Sequence, residues 1–209
     1  MSERTRGLWA LLEFSAFYSG LQNLIAKPGN RREVVGRYMR PRAGDKLLDI
    51  GCGPADLLAY LPEVQYVGVD HNPDYIEKAK AKWGNRGRFI CADVQSIADQ
   101  EAGSFDLVVA TGTLHHLSDG QVREVFSVAK ALLKPGGRMF SIDPSFIDRQ
   151  NLIARLLLKS DRGQHVRFPH ELEKLAREQF PTVNVAVRTD LMRVPYAHAI
   201  VECTNSPGA

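Results

Sequence analysis

From residue 46 onward, apolar runs of strand length alternate with amphipathic stretches of helical period. The strand-like runs are 46–50, 65–69, 87–91, 105–110 and 137–142. Between them, helices are expected over 54–60, 73–83, 96–101 and 119–132. The helix from 73 opens on Asn72-Pro73, which puts proline near the first turn, where its missing N–H is harmless. The helix from 119 has Ser118 or Asp119 as its cap. Its apolar stripe is Val122, Val125, Phe126, Ala129, Leu132 and Leu133, and Lys134-Pro135-Gly136-Gly137 stops it. Apolar strands alternating with helices predict an α/β fold, a mostly parallel sheet with helices on both faces.

The two ends read differently. Residues 5–27 roughly hold a helical period through Leu8, Leu11, Leu12, Leu21, Leu24 and Ile25, and Pro28-Gly29-Asn30 breaks it. A second helix is expected over 30–39, with Val34, Val35 and Tyr38 on one face. After residue 143 comes a long connection with helices over 148–159 and 169–179. Val183–Val187 and Val194–Val201 then read as two closing strands, and their short link favours antiparallel pairing. The expected organisation is a single domain over 1–209: a helical cap or lid over 1–40, a core over 41–145, and a connection with closing strands over 146–209.

Composition narrows the function classes. The chain has 209 residues, 44% hydrophobic and 24% charged, as in an ordinary water-soluble domain. A net charge of +3 without a dense basic patch counts against a nucleic-acid partner. Cys52, Cys91 and Cys203 are widely spaced and odd in number, which argues against a disulfide framework or a metal site and fits a reducing compartment. Residues 1–30 lack the pattern of a signal peptide, and no apolar run reaches the length of a membrane span. The expectation is a cytoplasmic protein; the oligomeric state is not readable.

The chemistry collects where strands end. In an open α/β sheet, ligands bind at the carboxyl ends of the strands, where strand order reverses. Those ends carry Asp49-Ile50-Gly51-Cys52-Gly53, then Asp70-His71, then Ala92-Asp93-Val94. Thr111-Gly112-Thr113, His115-His116 and Asp143-Pro144 follow. Glycines at 51 and 53 allow a tight turn with a ligand close to the backbone. Asp70 offers two acceptor oxygens to a ribose. A dinucleotide site would place pyrophosphate at the start of the next helix, where Asp56 sets a negative charge. A cofactor with a positive charge and an amino-acid tail suits Asp49 and Asp56 better.

These segments also carry a resemblance. Leu47-Leu48-Asp49-Ile50-Gly51-Cys52-Gly53-Pro54, Val67-Gly68-Val69-Asp70, Cys91-Ala92-Asp93-Val94, Phe105–Ala110, Leu114-His115-His116-Leu117 and Leu132–Gly137 occur in that order. The set resembles the motifs of class I S-adenosylmethionine-dependent methyltransferases, in particular the small-molecule type 11 or UbiE-like subgroup. It covers roughly residues 40–145. The resemblance implies a Rossmann-like seven-stranded sheet, mostly parallel, with an antiparallel last strand, and S-adenosylmethionine as cofactor. By position, it implies that Gly51, Cys52 and Gly53 lie against the methionine portion and Asp49 near its amine. It further implies Asp70 and His71 at the ribose, Asp93 and Val94 at the adenine, and Thr111 in the same cradle. Ala55 departs from a third glycine common in the family.

Methyl transfer to a hydroxyl or a protonated amine needs a base. His115 and His116 are the candidates, because imidazole titrates near neutrality. In this family the N-terminal helices and the connection after the fifth strand form the substrate side. That implies Tyr18, Arg149, His165, Arg167 and Tyr196 as pocket candidates for a small-molecule acceptor. The competing readings are a cofactor-binding module without transfer activity, an RNA methyltransferase, and a nicotinamide dehydrogenase.

Overall fold

The computed structural model describes residues 27–159, 165–194 and 196–206. The helix expected over 5–27, with Tyr18, lies outside the described residues. The elements run α1 (Asn30–Val34, continued by a π-helical turn Val35–Met39), β1 (Lys46–Ile50), β2 (Gln65–Asp70), α2 (Pro73–Trp83), β3 (Gly87–Cys91), α3 (Gln95–Glu101) and β4 (Phe105–Thr111). They continue α4 (Asp119–Leu132), β5 (Leu133–Pro144), α5 (Leu152–Lys159), α6 (Pro169–Arg177), β6 (Thr182–Arg188) and β7 (His198–Thr204).

The strands form a seven-stranded sheet in the order β3-β2-β1-β4-β5-β7-β6. β1 to β5 are parallel, and β7 runs antiparallel to both β5 and β6. The closing antiparallel pair was expected, but its second strand begins at His198, not at residue 194. Pairing of β7 with the far end of β5, Pro144 opposite His198, sets that start.

Side chains alternate across the sheet and divide the core into two layers. On one face Leu48, Val67, Val69, Val108, Ala110 and Met139 pack under α4 and α6, with Val122, Val125, Phe126, Ala129, Leu172 and Leu175. On the other, Leu47, Tyr66, Leu107, Val109, Phe140 and Ile200 meet Val34, Val35, Tyr38 and Met39. Ile76 and Ala79 of α2 complete this second layer. α4 forms where its apolar stripe predicted. Ser118, not Asp119, caps it, in a reciprocal capping box with Gln121. The expected helix over 54–60 is instead one 3-10 turn, Asp56–Tyr60. It enters through the left-handed Ala55 (φ 56°) and Leu61 is already extended, so the segment is cut short at both ends.

Phe126 is fully buried against Phe180 in an edge-on contact. Phe126→Ala is expected to lower unfolding stability by about 3–5 kcal/mol. Chemical denaturation reads this directly, and a loss below about 1 kcal/mol would contradict the packing described.

Candidate functional site

Strand order reverses between β1 and β4, and a cavity of about 580 Å³ opens there. The end of β1 and the turn after it contribute Asp49, Gly51, Cys52, Gly53 and Asp56. The loop after β4 contributes Thr111, Gly112, His115 and His116. The remaining wall is mostly apolar: Val34, Val35 and Met39 below, Phe140 and Ile142 of β5, and Leu191 and Met192.

Two glycines shape the turn, for different reasons. Gly51 has φ +70°, and a Cβ there would stand 2.7 Å from Thr113 Oγ1. That hydroxyl donates to the Ile50 carbonyl and ties the β4 loop to the β1 turn. Gly53 has φ +52°, but a Cβ would meet nothing within 4 Å. The space beside it is therefore not filled by the protein and lies on the cavity wall. Asp70, nearly buried, braces the turn from beneath. It accepts from Gly53 N–H at 3.0 Å and from Asn72 N–H at 2.8 Å. Asp56 pairs with Lys82 at 2.6 Å, so the negative charge read at this position is partly compensated.

Asp49 is the most unusual group in the cavity wall. It is 1% exposed, and Tyr66 O–H donates to its Oδ2 at 2.6 Å. Its Oδ1 has no hydrogen-bond partner among the described residues. Burial, opposed by the Tyr66 hydrogen bond and reinforced by the nearby Asp70, pushes its carboxyl up to about 7. Cys52 is also buried, and burial with the neighbouring Asp49 and Asp70 pushes its thiol far upward. An activated thiolate there is excluded.

His115 is held from two sides. Its Nδ1 lies 2.9 Å from Oδ1 of Asp143, and its backbone N–H donates to the same oxygen at 3.2 Å. Asp143 is 1% exposed, at the end of β5. Because a carboxylate only accepts, Nδ1 carries the proton and Nε2 is the basic nitrogen. The His116 ring lies 3.9 Å from that of His115, centroid to centroid.

Arg167 fixes the loop that carries this pair. Its buried guanidinium donates to the carbonyls of Leu114, Leu117 and His165 and to the Asp119 carboxylate. His165 N–H donates to the His115 carbonyl. Arg167 therefore serves as a latch behind the cavity, not as a pocket residue.

The cavity brings together Asp49, Gly51, Cys52, Gly53, Thr111, His115 and His116 of the expected set. Asp70 sits directly under its turn. His71 is exposed, with Nδ1 3.7 Å from Asp70 Oδ1. Asp93 is exposed and accepts from Gln95 N–H, and Val94 is buried at the start of α3. On the substrate side, Arg149 and His165 are exposed and away from the cavity lining. Tyr196 is buried, with its ring 5.3 Å from that of His198, which does line the cavity. Sequence reasoning missed Asp143 as the partner of His115 and Tyr66 as the partner of Asp49. The first joins the turn after β4 to β5, and the second joins β2 to β1. Asp143 stood among the polar strand ends, whereas Tyr66 gave no signal at all.

Residues 47–137 match the family model of the methyltransferase domain. The chain is 39% identical over 106 residues to the 27-O-demethylrifamycin SV methyltransferase of Amycolatopsis mediterranei, covering 47% of this chain and 38% of that protein. It is 32% identical over 115 residues to the ubiquinone biosynthesis O-methyltransferase of Xanthomonas axonopodis pv. citri, covering 53% and 47%. The chain thus spans less than half the length of these two relatives. A solved S-adenosylmethionine-dependent methyltransferase from Methanosarcina mazei shares the fold, with TM-score 0.64 and 17% identity, covering 84% of this chain and 98% of that one. Residues 47–137 are thus similar to the methyltransferase domain, in a chain that shares the fold of a solved S-adenosylmethionine-dependent methyltransferase. Among the described residues, no helix is long and apolar enough to cross a membrane, and no cluster of His, Cys, Asp and Glu could hold a metal ion.

Two outcomes follow from the buried charges. The folded state holds the Asp49 proton up to a higher pH than the unfolded chain does. The stability this confers is present below the ordinary carboxyl range and is lost as pH rises through about 7. Asp49→Asn should therefore raise the melting temperature of the ligand-free protein clearly more at about pH 8 than at about pH 5. An equal change at both would contradict the account. Arg167→Leu removes the hydrogen bonds of a buried guanidinium to three carbonyls and a carboxylate and should cost about 1–3 kcal/mol in chemical denaturation.

Proposed function

We propose that the protein transfers a methyl group from S-adenosylmethionine to a hydroxyl of a small, mostly apolar acceptor, with His115 as the general base. The observation that carries this reading is the His115–Asp143 pair at 2.9 Å, on the wall of the cavity that the glycine turn also lines.

The residues present fit the cofactor. Asp49 Oδ1 is a buried acceptor that lacks a partner among the described residues and suits an ammonium group. The open side of Gly53 leaves room for an amino-acid tail against the backbone. Gly51, Cys52 and Gly53 would hold the methionine portion, Asp70 and His71 the ribose, and Asp93 and Val94 the adenine, with Thr111 in the opposite wall. S-adenosylmethionine supplies the electrophilic methyl group. The chain's own residues orient the acceptor, keep water out and move one proton. Asp143 holds His115 by its Nδ1–H, and Nε2 takes the proton from the acceptor hydroxyl as its oxygen is alkylated. Asp143 then faces an imidazolium, which a buried carboxylate favours electrostatically. Much of the acceleration comes from aligning the acceptor oxygen with the methyl carbon.

Two features support the acceptor class. The wall made by Val34, Val35, Met39, Phe140, Ile142 and Leu191 is apolar. One of the relatives reported above is named an O-methyltransferase. Tyr18, Arg149, His165 and Tyr196 remain candidates for the outer substrate side.

The test is a turnover assay with methyl-labelled S-adenosylmethionine against hydroxylated and amino acceptors of apolar character. Label is expected on the hydroxylated class. His115→Ala should lower kcat by about 10²–10⁴-fold, with S-adenosylhomocysteine affinity preserved. Asp70→Ala should instead weaken S-adenosylhomocysteine binding by about 1–3 kcal/mol. Tight binding without any S-adenosylhomocysteine release across acceptors would favour a binding module, and label on RNA would favour a nucleic-acid substrate.

A further inference from the structure

A tyrosine in the second strand reaches the cofactor side of the cavity through a slot built by glycines. The Tyr66 ring is 2% exposed and lies along the sheet face beneath the turn after β1. A Cβ at Gly68 would stand 2.9 Å from Tyr66 Cε1 and 2.8 Å from Cys52 Sγ. A Cβ at Gly87, on the neighbouring strand, would stand 2.8 Å from Tyr66 Cδ1. Two strands thus leave out side chains where this ring passes. The ring packs beside Phe89, at 5.9 Å between centroids, and its hydroxyl ends 2.6 Å from Asp49 Oδ2.

Such an arrangement does more than fill space. A phenylalanine would pack the slot equally well, but the hydroxyl fixes the rotation of a carboxylate that is otherwise unsupported on its second oxygen. We infer that Tyr66 is a positioning residue for the amino-acid tail of the cofactor: it holds Asp49 by one oxygen so that the other accepts the tail's ammonium, and it thereby ties cofactor affinity to the protonation of Asp49. The inference rests on the reading that this cavity takes S-adenosylmethionine.

Sign and surroundings agree. Only the ionised carboxylate pairs with an ammonium, so affinity rises with pH through the titration of Asp49. Burial holds that titration near 7, and Tyr66 is the group that pulls it down. Asp70 pushes it up. The other titratable groups facing it are Cys52 and Asp56 in the turn, the latter paired with Lys82, and His115 and His116 in the same cavity wall. Tyr66 itself is raised by burial and by Asp49, and stays protonated throughout.

The test is calorimetric titration of S-adenosylhomocysteine and of 5′-methylthioadenosine, which lacks the amino-acid tail, between about pH 6 and 8.5. For the unsubstituted protein, affinity for S-adenosylhomocysteine should climb with pH, while that for 5′-methylthioadenosine stays flat. Tyr66→Phe should move the climb upward by about one to two pH units and leave 5′-methylthioadenosine affinity unchanged. Asp49→Asn, which keeps an acceptor for the hydroxyl, should abolish the climb. The inference is overturned if Tyr66→Phe keeps the unsubstituted profile, if Asp49→Asn still climbs, or if both ligands weaken together. Failure of the unsubstituted protein to bind either ligand would instead overturn the cofactor reading beneath it.

Discussion

In a parallel sheet, the loops that leave neighbouring strands emerge along one edge. Where one central strand has its successor on one side and a later strand on the other, those loops diverge and leave a crevice that no local packing closes. This chain places β2 on one side of β1 and β4 on the other. Every group argued for here follows from that reversal. The glycine turn leaves β1 into the crevice, the histidine loop enters it from β4, and β5 brings Asp143 behind the histidine.

The buried charges around the crevice are handled in three ways. Arg167 is fully satisfied by carbonyls and a carboxylate, as a cation with a structural role must be. Asp143 holds a histidine through one oxygen. Asp49 holds a tyrosine through one oxygen and has an upward-shifted carboxyl, which is an expensive state for a side chain with no ligand. Unsatisfied buried acceptors are rare in folded proteins, and this one sits where a cationic cofactor tail is proposed.

Much of the architecture was legible in the chain. Period-2 and period-3.6 patterning places β1 to β4, α2 and α4 within a residue or two, because each buries a continuous apolar stripe, whereas β5 begins at Leu133, four residues before the run expected from 137. The short turn over Asp56–Tyr60 was misjudged as a longer helix, since propensity there gave no sign that Ala55 adopts a left-handed conformation. The cluster around the cavity was partly legible for the same reason that strand ends are: polar residues interrupt apolar runs. The partners that set chemistry were not. Tyr66 looked like one more apolar strand position, and only strand register reveals that its ring slides past Gly68 and Gly87 to reach Asp49. Arg167 looked like a pocket cation but lies outside the cavity lining and acts as a latch, because nothing in its local sequence names the Leu114 and Leu117 carbonyls it meets far along the chain.

The central claim is that one cavity holds both the cofactor and the acceptor side of a methyl transfer. A crystal structure with S-adenosylhomocysteine bound tests it most directly. The account predicts the amino-acid tail over Gly51–Gly53 with its ammonium toward Asp49, and the sulfur facing the side of the cavity lined by His115 and His116. A cofactor seated elsewhere, or with its sulfur turned away from that histidine pair, would contradict it.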